Sequence, residues 1–232
     1  VNSKPAKIIL KRGRANPLWR GHPWVFSGAV ERADRPYEPG DLVDVCDSDG
    51  RLIGRGLANP RSQIVVRLLT RKEEPLSLDR PDDLSPAALA ELLSRRVLAA
   101  ARLRERLGFP SAATDAFRLV NAEGDGLPGL IIDRFGSGPT ATAVVQLGTL
   151  GMKRNEVAVF DALSALPEPL RPANLIEVAA GGFAQVEGFT PQNRVVRGEA
   201  NGPIPCREAG VELAVEPLAG QKTGMFLDQR DN

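Results

Sequence analysis

Residues 1–72 alternate short apolar segments with clusters of turn residues. The segments, rich in Val, Ile and Leu, are KIIL, DLVDVCD, LIGRGLA and IVVRLLT. Segments of this length and composition are typical of β-strands. Between the second and third, DSDG predicts a tight hairpin turn in which Asp49 and Gly50 supply positive backbone angles. Because several short strands fall within so few residues, the pattern predicts a small β-barrel.

A charged break and then a long helix are predicted for residues 73–108. The stretch TRKEEPLSLDRPDDL has no apolar period, which indicates a linker. Ser85 is the predicted N-cap, Pro86 fits the first helical position, and Gly108 stands just past the end. Apolar residues recur between them at helical spacing: Leu89, Leu93, Val97, Ala100, Leu103 and Leu107. Off that stripe lie Arg95, Arg102 and Arg106, for which a solvated helix face is favoured over RNA contact.

Residues 109–220 have the pattern of an α+β domain with mostly antiparallel pairing. Strands are predicted at AFRLVNA, GLIIDRF and TATAVVQL, and a helix from about Lys153 to Leu166. Further strands are predicted around NLIEVAA, AQVEGF, NRVVRG and VELAVEP. The order of elements therefore predicts a second domain that mixes a sheet with helices.

Composition narrows the class of protein without identifying it. The chain has 232 residues, 42% hydrophobic and 25% charged, which are ordinary globular values. No stretch approaches the roughly 18 apolar residues of a membrane-spanning helix, and the first residues lack the apolar centre of a signal peptide. Cys46 and Cys206 lie far apart with no CxxC pair, so neither a disulfide framework nor a zinc site is expected. A reducing, cytoplasmic location is the natural prediction.

Charge is distributed unevenly along the chain. Residues 1–72 contain 14 Lys or Arg and 7 Asp or Glu, whereas the rest contain 16 and 22. The first twenty-five residues carry no acid and six basic side chains: Lys4, Lys7, Lys11, Arg12, Arg14 and Arg20. A basic module of this kind indicates an anionic partner, most simply nucleic acid. An uneven but merely solvated surface is the alternative.

Several local motifs are expected to have structural roles. NAEGDG resembles the start of a calcium loop, but the twelfth position is Ile132 in place of a carboxylate, so we expect a turn with Gly126 at positive φ. His22 is the only histidine and is expected to form a structural hydrogen bond. Cys46 and Cys206 are expected to be packed side chains, and no metal site is predicted.

Three aromatic residues close to the basic cluster leave two interpretations open. Trp19, Trp24 and Phe26 could stack on nucleic-acid bases, or they could pack inside the predicted barrel. Packing inside the barrel is the interpretation that the sequence favours.

Four long segments carry a family resemblance. They are LKRGRANPLWRGHPWVFSGAV, GDLVDVCDSDGRLIGRGLANPRSQIVVRLLT, RLVNAEGDGLPGLIIDRFG and GQKTGMFLDQRDN, in that order. Together they resemble the bacterial RNA cytosine-C5 methyltransferases of the ribosomal large-subunit class, which use S-adenosylmethionine. Members of that family begin with an RNA-binding β-barrel, the PUA domain. A central α+β domain and a Rossmann-like methyltransferase domain follow it.

The resemblance implies a domain plan for this chain. A PUA-type barrel is expected over residues 1–72, a linker and helix over 73–108, and a central α+β domain with an antiparallel sheet over 109–220. Residues 221–232 would begin the methyltransferase domain, whose Rossmann-like body is expected to be absent from this chain. The chain alone is therefore expected to be inactive.

The resemblance also implies a chemistry and a set of site residues. In such enzymes a cysteine thiolate adds to the pyrimidine, carbon five takes the methyl group, and a base removes the proton. No catalytic residue is expected in this chain. RNA capture is expected from Lys11, Arg12, Arg14 and Arg20, and the edge of the cofactor site from Lys222, Thr223, Asp228 and Arg230. The expected partner is RNA, most simply ribosomal; no membrane partner is expected, and a homodimer stays open.

Two other classes of function remain beside the enzyme. The chain could be a stand-alone PUA-type RNA-binding protein without catalytic activity, or an assembly protein that acts through its α+β region. One departure from the family pattern affects the choice of target. Relatives have a polar run after Glu177, whereas here Val178, Ala179, Ala180 and Gly181 follow it. Met225 stands where an aromatic residue is usual.

Overall fold

The computed structural model describes residues 4–199, 202–219 and 223–227, the side chain of Phe183 excepted. The chain divides into two compact units. Unit 1 is the chain up to Leu92 together with Leu150–Asn155 and Val186–Gly188, and unit 2 is the remainder. Within the described residues, no helix is both long enough and apolar enough to cross a membrane.

Unit 1 is built on one six-stranded sheet. Its strands are β1 (Ala6–Leu10), β2 (Trp24–Phe26), β3 (Val30–Ala33), β4 (Leu42–Cys46), β5 (Leu52–Ala58) and β6 (Ile64–Arg71). They lie in the order β2-β6-β5-β4-β1-β3, and only β1 and β4 pair in parallel. The two edge strands, β2 and β3, are separated by the three residues Ser27–Ala29. Because so short a link joins opposite edges, the sheet must curl into an incomplete barrel.

The four strands predicted in residues 1–72 are confirmed, and two more were not predicted. In β2 only Val25 is buried, and β3 has no fully buried residue, so neither has an apolar run to find. A short helix, α1 (Asn16–Trp19), was also missed. At the predicted hairpin only Gly50 has a positive φ, of 82°, so the expectation for Asp49 is wrong. The turn is instead held by Asp47, whose Oδ1 accepts the backbone N–H groups of Asp49 and Arg51.

Two later segments belong to unit 1 because they are tied to its sheet. The carboxylate of Glu187 is buried and accepts hydrogen bonds from Asn59 Nδ2 at 2.8 Å and Arg67 Nη1 at 3.1 Å. The backbone N–H of Leu150 donates to the same carboxylate at 3.2 Å. A buried charge is tolerated only when it is paired and hydrogen-bonded, and Glu187 is both.

The long helix α2 (Pro86–Arg106) begins and ends as predicted. The Ser85 hydroxyl accepts the backbone N–H of Ala88 at 3.3 Å, and Gly108 has a φ of 85°. Of the predicted apolar stripe, the first part is buried: Leu89, Leu93, Val97 and Ala100. Leu103 and Leu107 are exposed instead, so the buried stripe stops before the helix does.

Unit 2 contains a five-stranded sheet and a two-stranded one. The larger sheet consists of β7 (Phe117–Asn121), β8 (Leu130–Phe135), β9 (Thr142–Leu147), β10 (Asn174–Glu177) and β11 (Arg194–Arg197), in the order β11-β10-β9-β8-β7. The smaller consists of β12 (Ile204–Glu208) and β13 (Val211–Val215). All pairs are antiparallel except β9 with β10, which fits the mostly antiparallel prediction.

Two predictions for the later elements are corrected. The helix expected from about Lys153 to Leu166 is two helices, α3 (Leu150–Arg154) and α4 (Glu156–Ser164). Asn155 separates them and bonds the carbonyl of Gly151 with its own side chain, a local competition that interrupts helices. The strand expected at AQVEGF is instead helix α5 (Phe183–Glu187). Its buried residues, Ala184 and Glu187, are three apart, which is a helical and not a strand period.

The strand β12 was not predicted at all. It contains Pro205, which lowers the strand signal of the sequence. Its buried residues are Ile204 and Cys206. They join Phe135, Val144 and Val215 in an apolar cluster of unit 2.

Candidate nucleic-acid interface

The loop between β1 and β2 is held in shape by one arginine of β6. The guanidinium of Arg71 donates to the carbonyl oxygens of Leu18 at 2.9 Å, of His22 at 3.3 Å, and of Gly21. Its burial lowers the pKa of Arg71 below the usual arginine value. One carbonyl of α1 and two that follow the helix are satisfied in this way, so the loop has a fixed path across the surface of unit 1.

The four predicted RNA-binding residues all lie on this loop and are all exposed. The ammonium of Lys11 donates to the carbonyl of Gly28 at 3.1 Å. Arg12, Arg14 and Arg20 make no side-chain hydrogen bond or ion pair with any residue that the structure describes. Their guanidinium groups are therefore available to an anion from outside, and arginine can bind a phosphate through a pair of hydrogen bonds.

Beside these cations lies a pocket of about 350 Å³. It is lined by Arg14, Pro17, Leu18, His22, Trp24, Phe26, Gly28 and Ala29, among which there is no acidic residue. The ring centroids of His22 and Trp24 are 5.7 Å apart, and those of Trp24 and Phe26 are 6.3 Å apart, both edge to face. The pocket thus combines a basic residue with three aromatic rings in mutual contact.

His22 forms the structural hydrogen bond predicted for it. Its Nδ1 lies 3.2 Å from the backbone nitrogen of Trp24 and 3.3 Å from the carbonyl oxygen of the same residue. The backbone N–H can only donate, so Nδ1 acts as the acceptor and the neutral ring carries its proton on Nε2.

The preference for packing Trp19 and Phe26 inside the barrel is wrong. Trp19 is 48% exposed and Phe26 is 46% exposed, whereas Trp24 is half-buried. In β2 only the middle residue, Val25, points into the core, so its neighbours face outward. The clue in the sequence was the brevity of this strand between Pro23 and Gly28, which leaves room for one inward side chain.

The predicted cofactor residues lie in or around a short segment near the end of the described chain. Lys222, Asp228 and Arg230 fall outside the described residues. Thr223 is 1% exposed, and its hydroxyl donates to Asp133 Oδ2 at 2.5 Å. Asp133 also accepts two hydrogen bonds from Arg118, its cross-strand partner, at 2.9 and 3.1 Å. The hydroxyl of Thr223 is thus engaged within unit 2, and its role toward a cofactor stays a prediction.

The remaining motifs are explained by contacts inside unit 2. Both carboxylate oxygens of Asp125 accept hydrogen bonds from Arg104, at 2.6 and 2.7 Å, so NAEGDG closes a turn. Gly126 has a φ of 69°, as predicted.

The segment in which the chain departs from the family pattern is also held inside unit 2. Glu177 is buried and pairs with Arg194 at 2.7 Å. The apolar Val178 that follows is buried too, with its N–H on the carbonyl of Val145.

Neither cysteine is suited to nucleophilic chemistry. Cys46 and Cys206 are free and buried, as predicted. Burial raises the pKa of the Cys46 thiol, and it raises the pKa of the Cys206 thiol to about 11. The thiolate is the reactive form, so both groups are held in the unreactive one. No group of three metal-binding side chains occurs among the residues that the structure describes.

A family match covers the part of the chain that contains the basic loop and the aromatic pocket. Residues 8–71 match the PUA-like domain family. The match covers the sheet of unit 1 from within β1 to the end of β6, including the basic loop and the aromatic pocket. The PUA-like domain is therefore the part of the chain that carries the candidate interface.

Similar proteins cover nearly the whole chain. "Ribosomal RNA large subunit methyltransferase I" of Erwinia tasmaniensis is 36% identical over 97% of this chain and 52% of its own length. The protein of the same name from Shigella dysenteriae is 35% identical over 97% of this chain and 52% of its own length. The chain thus spans about half the length of the curated relatives it matches.

Solved structures show the same fold. A protein from Streptococcus mutans assigned as a SAM-dependent methyltransferase superposes with a TM-score of 0.71 at 18% identity. A crystal structure of an assigned methyltransferase complexed with SAH gives a TM-score of 0.73, also at 18% identity. Each comparison covers 97% of this chain and about half of the other, 52% and 51% respectively.

Proposed function

We propose that this chain is the RNA-recognition part of a methyltransferase of ribosomal large-subunit RNA. The methyl donor would be S-adenosylmethionine and the target carbon five of a cytosine. The observation that carries the proposal is the loop of the PUA-like domain. Arg12, Arg14 and Arg20 lie on this loop next to an aromatic pocket, and they have no hydrogen-bond or ion-pair partner among the described residues. Similarity over 97% of the chain to enzymes named for this RNA supports the choice of substrate.

In this proposal the described residues bind RNA and do not perform the chemistry. Both thiols are buried with raised pKa values, so neither serves as the attacking cysteine. S-adenosylmethionine would supply the methyl group, and Lys222, Thr223, Asp228 and Arg230 are the residues of this chain proposed to border its site. Of these, Thr223 is buried and its hydroxyl donates to Asp133.

Competition binding tests the RNA part of the proposal. The chain is mixed with a labelled transcript of large-subunit ribosomal RNA, and unlabelled RNA or duplex DNA of equal length is added. We expect the ribosomal RNA to displace the label at a lower concentration than the DNA. Failure to bind any RNA at low salt would refute the proposal.

Calorimetry tests the assignment of roles. The chain of 232 residues should give no heat of binding with S-adenosylmethionine and should transfer no methyl group to RNA. Tight binding of the cofactor by this chain would overturn the division between RNA-binding and catalytic residues.

The second candidate is a stand-alone RNA-binding protein. It is favoured by the same two buried thiols, since the described residues offer RNA contacts and no poised nucleophile. The coding sequence after Asn232 separates the candidates. A continuing frame that encodes a strand and a glycine-rich loop supports the enzyme, and a stop codon supports the binding protein.

A further inference from the structure

The aromatic pocket of the PUA-like domain is suited to one particular feature of RNA. We propose that it receives a single unpaired base, which stacks against the exposed ring of Phe26, while Arg14 and Lys11 hold the neighbouring phosphates. This inference rests on the proposed function and names the class of RNA that the site selects: a structured RNA with a bulged or looped nucleotide.

The exposed ring faces are the first reason. Phe26 is nearly half exposed, and it lines the pocket together with His22 and Trp24. In a duplex the faces of the bases are covered by their neighbours, so only base edges and the backbone are accessible. Among the parts of an RNA, a base that has left the stack is therefore the one able to stack on an exposed aromatic ring.

The charge of the lining is the second reason. Arg14 lines the pocket and has no hydrogen-bond or ion-pair partner among the described residues. The ammonium of Lys11 donates a hydrogen bond to the carbonyl of Gly28, which also lines the pocket. No lining residue is acidic. A flat π-system attached to an anionic backbone matches this combination, and a nucleotide has both parts. An acidic, aromatic peptide has a similar chemistry and is treated below as an outcome of the test.

His22 supplies a polar group for the base edge. Its Nδ1 is occupied by the N–H of Trp24, so in the neutral ring the proton is on Nε2. The lining then includes an imidazole N–H donor beside the guanidinium of Arg14, and acceptors on a base edge can use it. The arrangement tolerates more than one base, since stacking depends little on base identity.

Gly28 allows the pocket to be closed without disturbing the backbone. It lies in the turn Ser27–Ala29, its φ is not in the left-handed region, and a Cβ placed on it would meet no atom within 4 Å. Gly28→Leu should therefore fold normally and fill the mouth of the pocket. Gly182 is also open and outside the left-handed region, but it belongs to unit 2, so Gly182→Leu is the matched control.

The experiment compares two RNA hairpins of equal length. One carries a single bulged 2-aminopurine, whose fluorescence reports stacking, and the other is fully paired. The dissociation constants of both are measured at one salt concentration for the wild-type chain, Gly28→Leu, Phe26→Ala and Gly182→Leu. Melting temperatures of all four proteins show whether each variant is folded. If Gly28→Leu is not folded, the affinities of Phe26→Ala decide whether the pocket selects the bulged nucleotide.

The wild-type chain and Gly182→Leu should bind the bulged hairpin about tenfold more tightly than the paired one and change its 2-aminopurine fluorescence. Gly28→Leu and Phe26→Ala should bind both hairpins equally, at the affinity of the paired one. Equal affinity of the wild-type chain for both hairpins would overturn the inference and leave the proposed function standing. An acidic aromatic peptide is tested as a competitor in the same assay. If it enters the pocket and displaces the paired and the bulged hairpin equally, the inference is likewise overturned. Absence of any RNA binding would refute the proposed function itself.

Discussion

Arginine is used differently in the loop of the PUA-like domain and in the sheet of unit 2. On the loop, Arg12 and Arg14 are exposed and make no side-chain hydrogen bond or ion pair with any described residue. In unit 2, Arg118 lies opposite Asp133 on neighbouring strands, and Arg104 holds both oxygens of Asp125. The same residue type therefore stabilises one region and leaves the other free to bind an anion.

The difference shows why net charge alone is a poor guide to binding. Unit 2 contains many basic residues, but its buried acids, such as Asp133 and Glu177, neutralise those closest to them. Residues 1–25 contain no acid, so their cations have no such partner nearby in the chain. What matters for an anionic partner is the number of cations left unpaired after folding.

The largest expected effect comes from removing a buried carboxylate of unit 2. Asp133→Ala removes the acceptor of two hydrogen bonds from Arg118 and of one from the Thr223 hydroxyl, and should lower the free energy of unfolding by about 3 kcal/mol. The matched variant in unit 1 is Asp44→Ala, which removes another cross-strand partner, that of Arg55. Burial raises the pKa of Asp44 and Arg55 offsets it only in part, so this loss should cost about 1 kcal/mol.

Urea unfolding followed by circular dichroism measures both variants. Equal losses for Asp133→Ala and Asp44→Ala would show that the two regions do not differ in how much they depend on ion pairs.

A second effect, of about 2 kcal/mol, concerns the pH dependence of unit 2. Burial raises the pKa of Cys206 to about 11, whereas the thiol of the unfolded chain ionises near its ordinary value of 9.0. Because the folded-state pKa is the higher one, the stability is fully present below the unfolded pKa. It is lost as pH rises toward 11, since only the unfolded chain can release the proton.

Unfolding free energies at several pH values between about 8 and 11 test this. The wild-type protein should lose about 2 kcal/mol more than Cys206→Ala over that range. Parallel curves for the two proteins would exclude Cys206 as the cause.

The smallest expected effect distinguishes two turns that share a left-handed glycine. Gly50 in unit 1 has a φ of 82° and open space around it, whereas Gly126 in unit 2 has a φ of 69° and lies against Arg96. Gly50→Ala should cost about 1 kcal/mol for the backbone alone. Gly126→Ala should cost somewhat more, because the new Cβ would lie 3.0 Å from the guanidinium of Arg96.

Thermal unfolding of the two glycine variants provides the measurement. A larger loss for Gly50→Ala than for Gly126→Ala would contradict the role given to Arg96. Calcium should not raise the melting temperature of the wild-type protein, since Arg104 occupies the carboxylate of Asp125.

The sequence was sufficient where an element carries a run or a regular stripe of apolar residues. The strands β4, β5 and β6 are largely buried segments rich in Val, Ile and Leu, and the start of α2 buries residues at helical spacing. All four were predicted. It was insufficient where tertiary contacts decide the conformation. The segment AQVEGF forms a helix because Glu187 reaches Asn59 and Arg67, which are more than a hundred residues earlier in the chain.

The candidate site was predicted by its charges and not by its shape. The basic residues Lys11, Arg12, Arg14 and Arg20 follow from the absence of acids in their segment. The pocket depends on β2 being only three residues long, so that Phe26 faces solvent. An apolar period cannot show this in so short a strand, and the spacing of Pro23 and Gly28 is the only sign of it in the sequence. The prediction that Phe26 packs inside the barrel failed for this reason.

The central claim is that the unpaired arginines of the PUA-like loop bind RNA phosphates, and the salt dependence of binding tests it most directly. The binding constant for structured RNA is measured at several salt concentrations for three proteins. These are the wild-type chain, the double variant Arg12→Ala/Arg14→Ala, and the control Arg102→Ala/Arg106→Ala. The control removes the same charge from exposed positions of α2 that belong to unit 2.

The slope of log K against log salt should be shallower by about 1.4–1.8 in Arg12→Ala/Arg14→Ala, because two phosphate contacts are lost. The slope of the control should equal that of the wild-type chain. An unchanged slope for Arg12→Ala/Arg14→Ala, or an equal change in both double variants, would contradict the claim.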